Sequence, residues 1–155
     1  MGLLDRVLSH FRPPTLEDPD FGRLLYMHIA RDPSRSYWEC EWLFPPTGTR
    51  VSIGLPGSRE GPLPESRAFF LALVPEFSRI IEQVQPVLAR VFREWLDRPL
   101  SQDLWQDVKL AGFGVEDPRQ IPPRWDVAFE PTGTKWLGIT VPIIGSQVQE
   151  PVVDT

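Results

Sequence analysis

Thiols and imidazoles are scarce in this chain. Its 155 residues include one cysteine, Cys40, and two histidines, His10 and His28. A single cysteine excludes an intramolecular disulfide, so the composition does not require an oxidising compartment and we expect a cytoplasmic location. Neither histidine has a second ligand near it at the spacing that zinc or iron sites use. The sequence therefore predicts no metal site.

Recognisable catalytic motifs are also missing. The chain contains no phosphate-binding loop, dinucleotide-binding fingerprint or nucleophile elbow, and we expect no cofactor. Cys40 lies on the apolar side of an alternating stretch, where a thiol is expected to be buried and inert. Glu39 and Glu41 share the other side, roughly 7 Å apart, which suits a cation or a basic side chain as well as a plain solvated strand. We predict that the protein is not an enzyme; an enzyme of unrecognised type that uses carboxylates is the alternative.

Lysine is scarce as well, and the net charge is negative. The chain has 21 acidic and 16 basic side chains, only two of them lysines, for a formal net charge of −5. This balance argues against a nucleic acid or an anionic membrane as the main partner and favours a basic protein partner. The excess of arginine over lysine is typical of GC-rich coding, which favours a bacterial origin.

Long hydrophobic runs are absent. The opening stretch MGLLDRVLSHF is broken by Asp5 and Arg6 and is too short for a signal-peptide core or a membrane span. Its apolar residues fall at helical spacing, which predicts a short helix packed on the body of the protein, with peripheral membrane contact as the alternative. We assign residues 1–17 to this helix and a proline-rich connector, 18–145 to a single domain, and 146–155 to a loosely held tail.

A repeated turn sequence is the clearest internal feature. FPPTGTRVSIGLPG, which begins at Phe44, is nearly repeated as FEPTGTKWLGITVP from Phe129. Before the first copy, alternating apolar residues predict a half-buried strand over 37–44. The glycine of each PTGT stretch can adopt the positive φ that closes a short hairpin loop. The sequence therefore predicts two equivalent hairpins, each with a four-residue loop.

That loop length sets the expected register of both hairpins. In the first, Trp42 lies opposite Val51; in the second, Val127 lies opposite Trp136, so the tryptophan and the valine exchange strands. The first hairpin then has a polar outer face that includes Glu39 and Glu41. The second has an apolar outer face beside Asp126 and Ala128, formed by Leu137, Ile139 and Val141.

An apolar outer face of this kind has to be covered. The N-terminal helix covers it in one interpretation, and the protein is then a monomer. In the other, another chain covers it, as in a homodimer or a complex. The partner-binding residues are then an apolar centre and a charged rim: Leu137, Ile139 and Val141, with Glu39, Glu41 and Asp126.

Apolar residues at helical spacing occupy the segment between the two hairpins, from about Glu65 to Leu96. Pro75 and Pro86 interrupt it and predict two or three helices. The expected fold is α+β, an antiparallel sheet that contains both PTGT hairpins and packs against these helices. The residues expected in the core are Trp42, Val51, Phe70, Phe77, Ile81, Leu88, Val127 and Phe129, together with Trp38, Trp95, Trp125 and Trp136.

Four stretches carry a resemblance to a known group of proteins: DPDFGRL, YWECEWLFPPTGTRVSIGLPG, ESRAFFLALVPEFSRIIEQVQPVL and WDVAFEPTGTKWLGITV. Their pattern of apolar, glycine and tryptophan positions resembles small bacterial α+β domains of unknown function, from about Asp18 to Val141. Some such domains are encoded beside secreted toxins and resemble immunity proteins. The resemblance implies a protein-binding domain, most specifically an immunity-type inhibitor of a toxin, with no functional residue to transfer. An accessory or scaffold role is a further alternative.

Overall fold

The computed structural model describes residues 13–133 and 136–155. The N-terminal helix predicted within residues 1–17 lies largely outside these ranges. The described elements, in chain order, are β1 (Thr15–Asp18), β2 (Gly22–Met27), β3 (Tyr37–Phe44), β4 (Thr49–Ser58), β5 (Gly61–Pro62), α1 (Pro64–Leu96), α2 (Leu104–Asp107), β6 (Val108–Val115), β7 (Arg124–Pro131), β8 (Gly138–Ile144), β9 (Gln147–Val148) and β10 (Val152–Asp154), with a 3-10 turn at Pro33–Arg35.

The fold is α+β, with one large mixed sheet and one long helix. The strand order is β1-β2-β3-β4-β6-β7-β8-β10, with β5 beside β4 and β9 beside β8. Every pairing is antiparallel except that of β4 with β6, which is parallel. This corrects the expectation of a wholly antiparallel sheet. A parallel pair needs a crossover connection, and α1 supplies it.

The first hairpin has the register that its four-residue turn requires. Trp42 lies opposite Val51, Phe44 opposite Thr49, and Gly48 in the turn has a φ of 65°. The side chains of Trp42 and Phe44 contact each other edge to face, with ring centroids 5.0 Å apart. Local alternation and turn chemistry are therefore sufficient to define this hairpin.

The second copy of the turn does not repeat the first. Phe129 lies opposite Ile139 and Val127 opposite Val141, so Trp136 is not the partner of Val127. In this register, three residues that were expected on an outer face are buried in the core, each 2% exposed or less: Leu137, Ile139 and Val141. Trp136 is 57% exposed instead. The prediction of two equivalent PTGT hairpins is thus not confirmed, because burying the branched aliphatic side chains against the helix outweighs the similarity of the turns.

The helical segment is one helix of 33 residues, not two or three. Pro64 occupies its first turn, where a missing N–H costs little, and the helix ends at Asp97 in the left-handed conformation. Pro75 and Pro86 lie inside it. Each costs about 3 kcal/mol or more in a helix interior, but the apolar face of α1 is buried in the core and contacts β4 and β8. The burial of this apolar face therefore outweighs the helix-breaking tendency of the two prolines.

Most of the predicted core is confirmed. Apart from the additional tryptophans, eight strand and helix residues were predicted in the core, and seven of them are buried: Trp42, Val51, Phe70, Phe77, Leu88, Val127 and Phe129. Ile81 is half-buried and packs against the core from the flank of α1. Trp95, also expected in the core, is 48% exposed because it lies in the last turn of α1, on its solvent side.

The C-terminal residues are paired with the sheet. β9 and β10 both bond to β8, and the Arg90 side chain of α1 donates to Glu150 at 2.8 Å. The expected loose tail over 146–155 is therefore incorrect. Within the two described ranges, neither helix combines the length and the apolarity needed to cross a membrane.

Candidate functional site

The two faces of the sheet differ in how they are covered. Helix α1 packs on one face, where Phe77 contacts Phe44 with ring centroids 4.9 Å apart. Over the other face the described residues place no α-helix, and the side chains that point there are exposed or half-buried. We call this second surface the open face. Its residues on the central strands include Tyr37, Glu39, Glu41, Arg50, Ser52, Gly54, Gly114, Glu116, Arg124 and Asp126.

A groove of about 780 Å³ runs across four strands of the open face. We call it the central groove; the residues that define it are Tyr37, Gly54, Pro56, Gly114, Glu116 and Asp126. Its floor lacks side chains at two neighbouring positions. A Cβ atom on Gly54 would come within 3.0 Å of the Tyr37 ring, and one on Gly114 within 3.2 Å of both carboxylate oxygens of Asp126. The ring and the carboxylate thus lie over the glycines.

A second groove of about 450 Å³ continues the first toward β8 and β10. It shares Glu116 and Asp126 with the central groove and adds Arg124, Thr140 and Pro142. The two acidic residues therefore lie in the middle of one elongated depression. Because it crosses at least five neighbouring strands spaced about 4.8 Å apart, the depression is roughly 20 Å long.

Asp126 is in an unfavourable position for a negative charge. Burial raises the pKa of its carboxyl group above the ordinary value, the nearby Glu116 raises it further, and a hydrogen bond from the Gly114 backbone partly opposes the rise. Among the described residues, no ion pair forms at any of the four acidic side chains of this surface: Glu39, Glu41, Glu116 and Asp126. Within the described residues these four carboxylates thus make no direct ion pair, although Arg50 and Arg124 lie on the same face.

Of the basic side chains that line the depression, Arg35 lies toward one end and Arg124 lies near its middle. Arg35, in the 3-10 turn, lines only the central groove, and Arg124 lines only its continuation. The side chain of Arg50 extends toward strand β3, where its Nη1 donates to the backbone oxygen of Glu41 at 3.3 Å. Arg124 lies opposite Glu116, whose backbone N–H donates to the Arg124 carbonyl oxygen at 3.0 Å, so the middle of the depression contains two carboxylates and one arginine.

The structure brings together three of the six residues predicted to bind a partner. Glu39, Glu41 and Asp126 lie on the open face, as strand alternation indicates. The other three, Leu137, Ile139 and Val141, are in the core and are not accessible to a partner. Sequence reasoning missed Gly114 and Glu116, because only the parallel β4–β6 pairing brings them beside β4.

Cys40 is not part of this surface. Its side chain is 4% exposed, burial raises its pKa to about 12, and its thiol donates to the Phe21 carbonyl oxygen at 3.6 Å. A thiol in this state is a poor nucleophile.

The described part of the chain also lacks the side-chain grouping that a metal site needs. There, no three side chains of histidine, cysteine, aspartate or glutamate are grouped so that they could hold a metal ion. The open-face carboxylates are thus arranged as separate charges along a groove.

Comparisons of the chain with protein-family models, with curated proteins and with solved structures find no match.

Proposed function

We propose that this protein is a non-enzymatic protein-binding domain, most specifically an immunity-type inhibitor of a bacterial toxin, that binds a basic partner through its open face. The observation that carries the proposal is a groove with two carboxylates, on a sheet face that no α-helix of the described residues covers. Glu116 and Asp126 lie where this groove meets its continuation, Glu39 and Glu41 lie beside it on the same face, and none of the four forms an ion pair within the described residues.

Electrostatics favour this use of the surface. A protein of net charge −5 is attracted to a basic cleft, and complementary charge raises association rates well above those of neutral pairs. Many toxins that act on nucleic acids need such a basic cleft, because their substrate is a polyanion. An acidic surface that occupies the cleft blocks the substrate by competing for the same charges.

The edges of the sheet are less suited to a partner than its face. Strand β1 has four residues, carries Glu17 and Asp18, and lies between prolines. Strand β10 has three residues and follows Pro151. Short, charged, proline-flanked edge strands resist pairing with another chain. We therefore assign partner binding to the open face and not to strand addition.

A matched pair of charge reversals tests the proposal. The probe is the purified product of the gene next to the one that encodes this chain, titrated by calorimetry. Glu41→Arg on the open face and Glu82→Arg on the solvent side of α1 both reverse an exposed charge. We expect the first to weaken binding by about tenfold or more and the second by less than about threefold.

Two results would contradict the proposal. If the neighbouring gene product does not bind, and co-expression of the chain does not relieve its toxicity, the immunity role is excluded. If both reversals weaken binding equally, only the overall charge matters and the open face is not the binding surface.

An enzyme that uses carboxylates is a second candidate, favoured by one observation. Asp126 has a raised pKa beside Glu116 in a groove, which is an arrangement that acid–base catalysis uses. Chromogenic glycoside and ester substrates provide a direct check, with Asp126→Asn as the control. Turnover by the native chain that the variant lacks would favour this candidate.

A further inference from the structure

We propose that residues 1–12 pack across one end of the open face of their own chain; this contact is called here the internal cover. The surface that they cover is called the apolar end, and its residues, from β2 to β4, are Leu25, Met27, Ile29, Tyr37 and Pro56. The internal cover forms within the free chain, so it goes beyond the proposed function and does not depend on it.

Strand pairing makes the apolar end one continuous surface. Met27 lies opposite Tyr37, and Tyr37 lies opposite Pro56, so side chains of three successive strands are neighbours on the open face. Leu25 is two residues before Met27 and therefore points to the same side. Ile29 lines the central groove together with Tyr37 and Pro56. The described residues leave all five half-buried, so apolar surface remains to be covered.

The chain enters the sheet beside this surface. The Pro14 carbonyl oxygen accepts a hydrogen bond from the Tyr26 backbone N–H at 2.9 Å, and β1 pairs with β2 from the next residue onward. Tyr26 lies between Leu25 and Met27 of the apolar end. Residues 1–12 are therefore attached about one strand spacing, roughly 5 Å, from the strand that begins the apolar end.

The length of the segment matches the width of the apolar end. Three strand spacings separate β1 from β4, which amounts to roughly 14 Å. In an α-helix, the conformation that the apolar spacing predicts, residues 1–12 are about 18 Å long. In that conformation the apolar residues of the segment share one side: Leu3, Leu4, Val7, Leu8 and Phe11. The segment can therefore cross the whole apolar end with this side against the sheet.

The open face suits this segment better than the core side of the same strands. Leu24 and Tyr26 point to the core side, where they are 1% and 8% exposed, so the described residues already bury them. Charge is also complementary on the open face. The segment carries two arginines and one aspartate, whereas the surface beside the apolar end carries Glu39 and Glu116 against Arg35. Opposite net charges therefore face each other.

Contacts in the native 155-residue chain test the internal cover directly. In the isotope-labelled protein, we expect nuclear Overhauser effects that connect the Met27 methyl group and the Tyr37 ring to leucine methyl groups of residues 1–12. Their absence would overturn the proposal. A mixture of labelled and unlabelled chains should show no such contacts between chains. If it does, a second copy covers the apolar end and the internal cover is wrong.

A matched pair of substitutions tests what holds the segment in place. Leu4→Asp puts a charge among apolar residues, whereas Ser9→Asp adds the same charge on the opposite side of the predicted helix. The measurement is side-chain oxidation by hydroxyl radicals, followed by mass spectrometry. We expect Leu4→Asp to increase the oxidation of Met27 and Tyr37 by about threefold or more. The control should change it by less than about twofold.

Trp105 is the internal reference for these variants, because it is 40% exposed and stacks on Phe77 of α1, away from the open face. Its oxidation should be the same in all three chains. If it rises in Leu4→Asp, that variant has unfolded, and the Overhauser contacts of the native chain decide the question. Equal oxidation of Met27 in the native chain and in folded Leu4→Asp, or equal increases in both variants, would overturn the internal cover.

The internal cover and the proposed function can fail separately. If residues 1–12 contact Met27 and Tyr37 while the neighbouring gene product does not bind, the internal cover stands and the partner assignment fails. If that protein binds in a way that depends on Glu41 while these contacts are absent, the binding domain stands and the internal cover is wrong.

Discussion

At the scale of single residues, Asp126 is the clearest case of a side chain whose surroundings change its chemistry. It points to the open face, where strand alternation would make it an ordinary solvated aspartate. Burial against the sheet and the proximity of Glu116 raise its pKa instead. The native protein therefore binds a proton at Asp126 more tightly than the unfolded chain does.

The raised pKa has a definite consequence for stability. The contribution of Asp126 to the free energy of unfolding is fully present below its unfolded pKa, near pH 4, and is lost as the pH rises through the higher folded pKa. At neutral pH the ionised group opposes folding. We expect Asp126→Asn to be more stable than the native protein at pH 7, with the gain diminishing toward acid pH.

Urea unfolding at several pH values measures this gain. Glu41→Gln is the matched control, because Glu41 is an exposed carboxylate on the same face. Its substitution should change the free energy of unfolding at pH 7 by less than about 0.5 kcal/mol. A loss of stability in Asp126→Asn at pH 7 would show that the ionised carboxylate is held by favourable hydrogen bonds, and the expectation that the ionised group opposes folding would then be wrong.

At the scale of elements, one arginine connects α1 to the start of the sheet. Arg67, in the first turns of the helix, donates to Asp18 from Nε at 2.8 Å and from Nη2 at 3.1 Å, and it also bonds to Asp20. The guanidinium lies 5.6 Å from the ring centroid of Phe21. Hydrogen bonding from Arg67 is the largest cause that lowers the pKa of Asp18. The helix and the β1–β2 turn are thereby held together.

Replacing this arginine with lysine should be costly even though the charge is kept. Lysine cannot reproduce the two-pronged geometry, and we expect Arg67→Lys to lower the free energy of unfolding by about 1 to 3 kcal/mol. Arg79→Lys is the control, because its pairing with Glu76 is exposed on both sides and should contribute less than about 0.5 kcal/mol. Chemical denaturation measures both.

The pH dependence gives an independent check on the same contact. Because the folded pKa of Asp18 is lowered, its contribution is present above the unfolded pKa and is lost as the pH falls through the folded pKa. Arg67→Lys should therefore cost less in acid than at neutral pH. An equal cost at both would mean that the contact acts through packing on Phe21 and not through the carboxylate.

These elements also show which parts of the fold can be predicted from the sequence. Strand β3 and its turn were predictable, because alternation and a glycine turn act over a few residues. The register of β7 with β8 was not, because two similar turn sequences can close different loops. The continuity of α1 through Pro75 and Pro86 depends on burial against strands far away in the chain.

The candidate site likewise contains residues that could be predicted from the sequence and residues that could not. Glu39, Glu41 and Asp126 were placed on one face by a period of two, which is a local property. Tyr37 and Gly54 follow from the same alternation, although the sequence did not single them out. Gly114 and Glu116 join the groove only through the parallel pairing of β4 with β6, which brings together strands separated by the whole of α1.

At the scale of the whole molecule, the sheet consists of two largely antiparallel halves. Strands β1 to β5 precede α1 and strands β6 to β10 follow it, and the β4–β6 pairing joins them. Helix α1 contacts both β4 and β8, so it spans the two halves. One residue from each of three elements meets at the junction: Phe44 of β3, Phe77 of α1 and Phe113 of β6, with ring centroids 4.9 to 6.4 Å apart.

This aromatic cluster should make the two halves unfold together. The depression on the open face also crosses the junction, so its shape depends on the same contact. We expect the native protein to unfold in one transition that is coincident by far-UV circular dichroism and by tryptophan fluorescence. Phe113→Ala should lower the free energy of unfolding by about 3 to 5 kcal/mol, because it removes a large buried side chain at the junction.

The control for this variant is Leu43→Ala, at a side chain that is 55% exposed on the open face, where the change should be within about 0.5 kcal/mol. If Phe113→Ala costs less than about 1 kcal/mol, the cluster does not couple the halves. If the two probes of the native protein report separate transitions, the halves are independent folding units. In that case the groove between β4 and β6 is an interface between two units and not a surface of one rigid sheet, and a partner bound across it should stabilise both units at once by mass action.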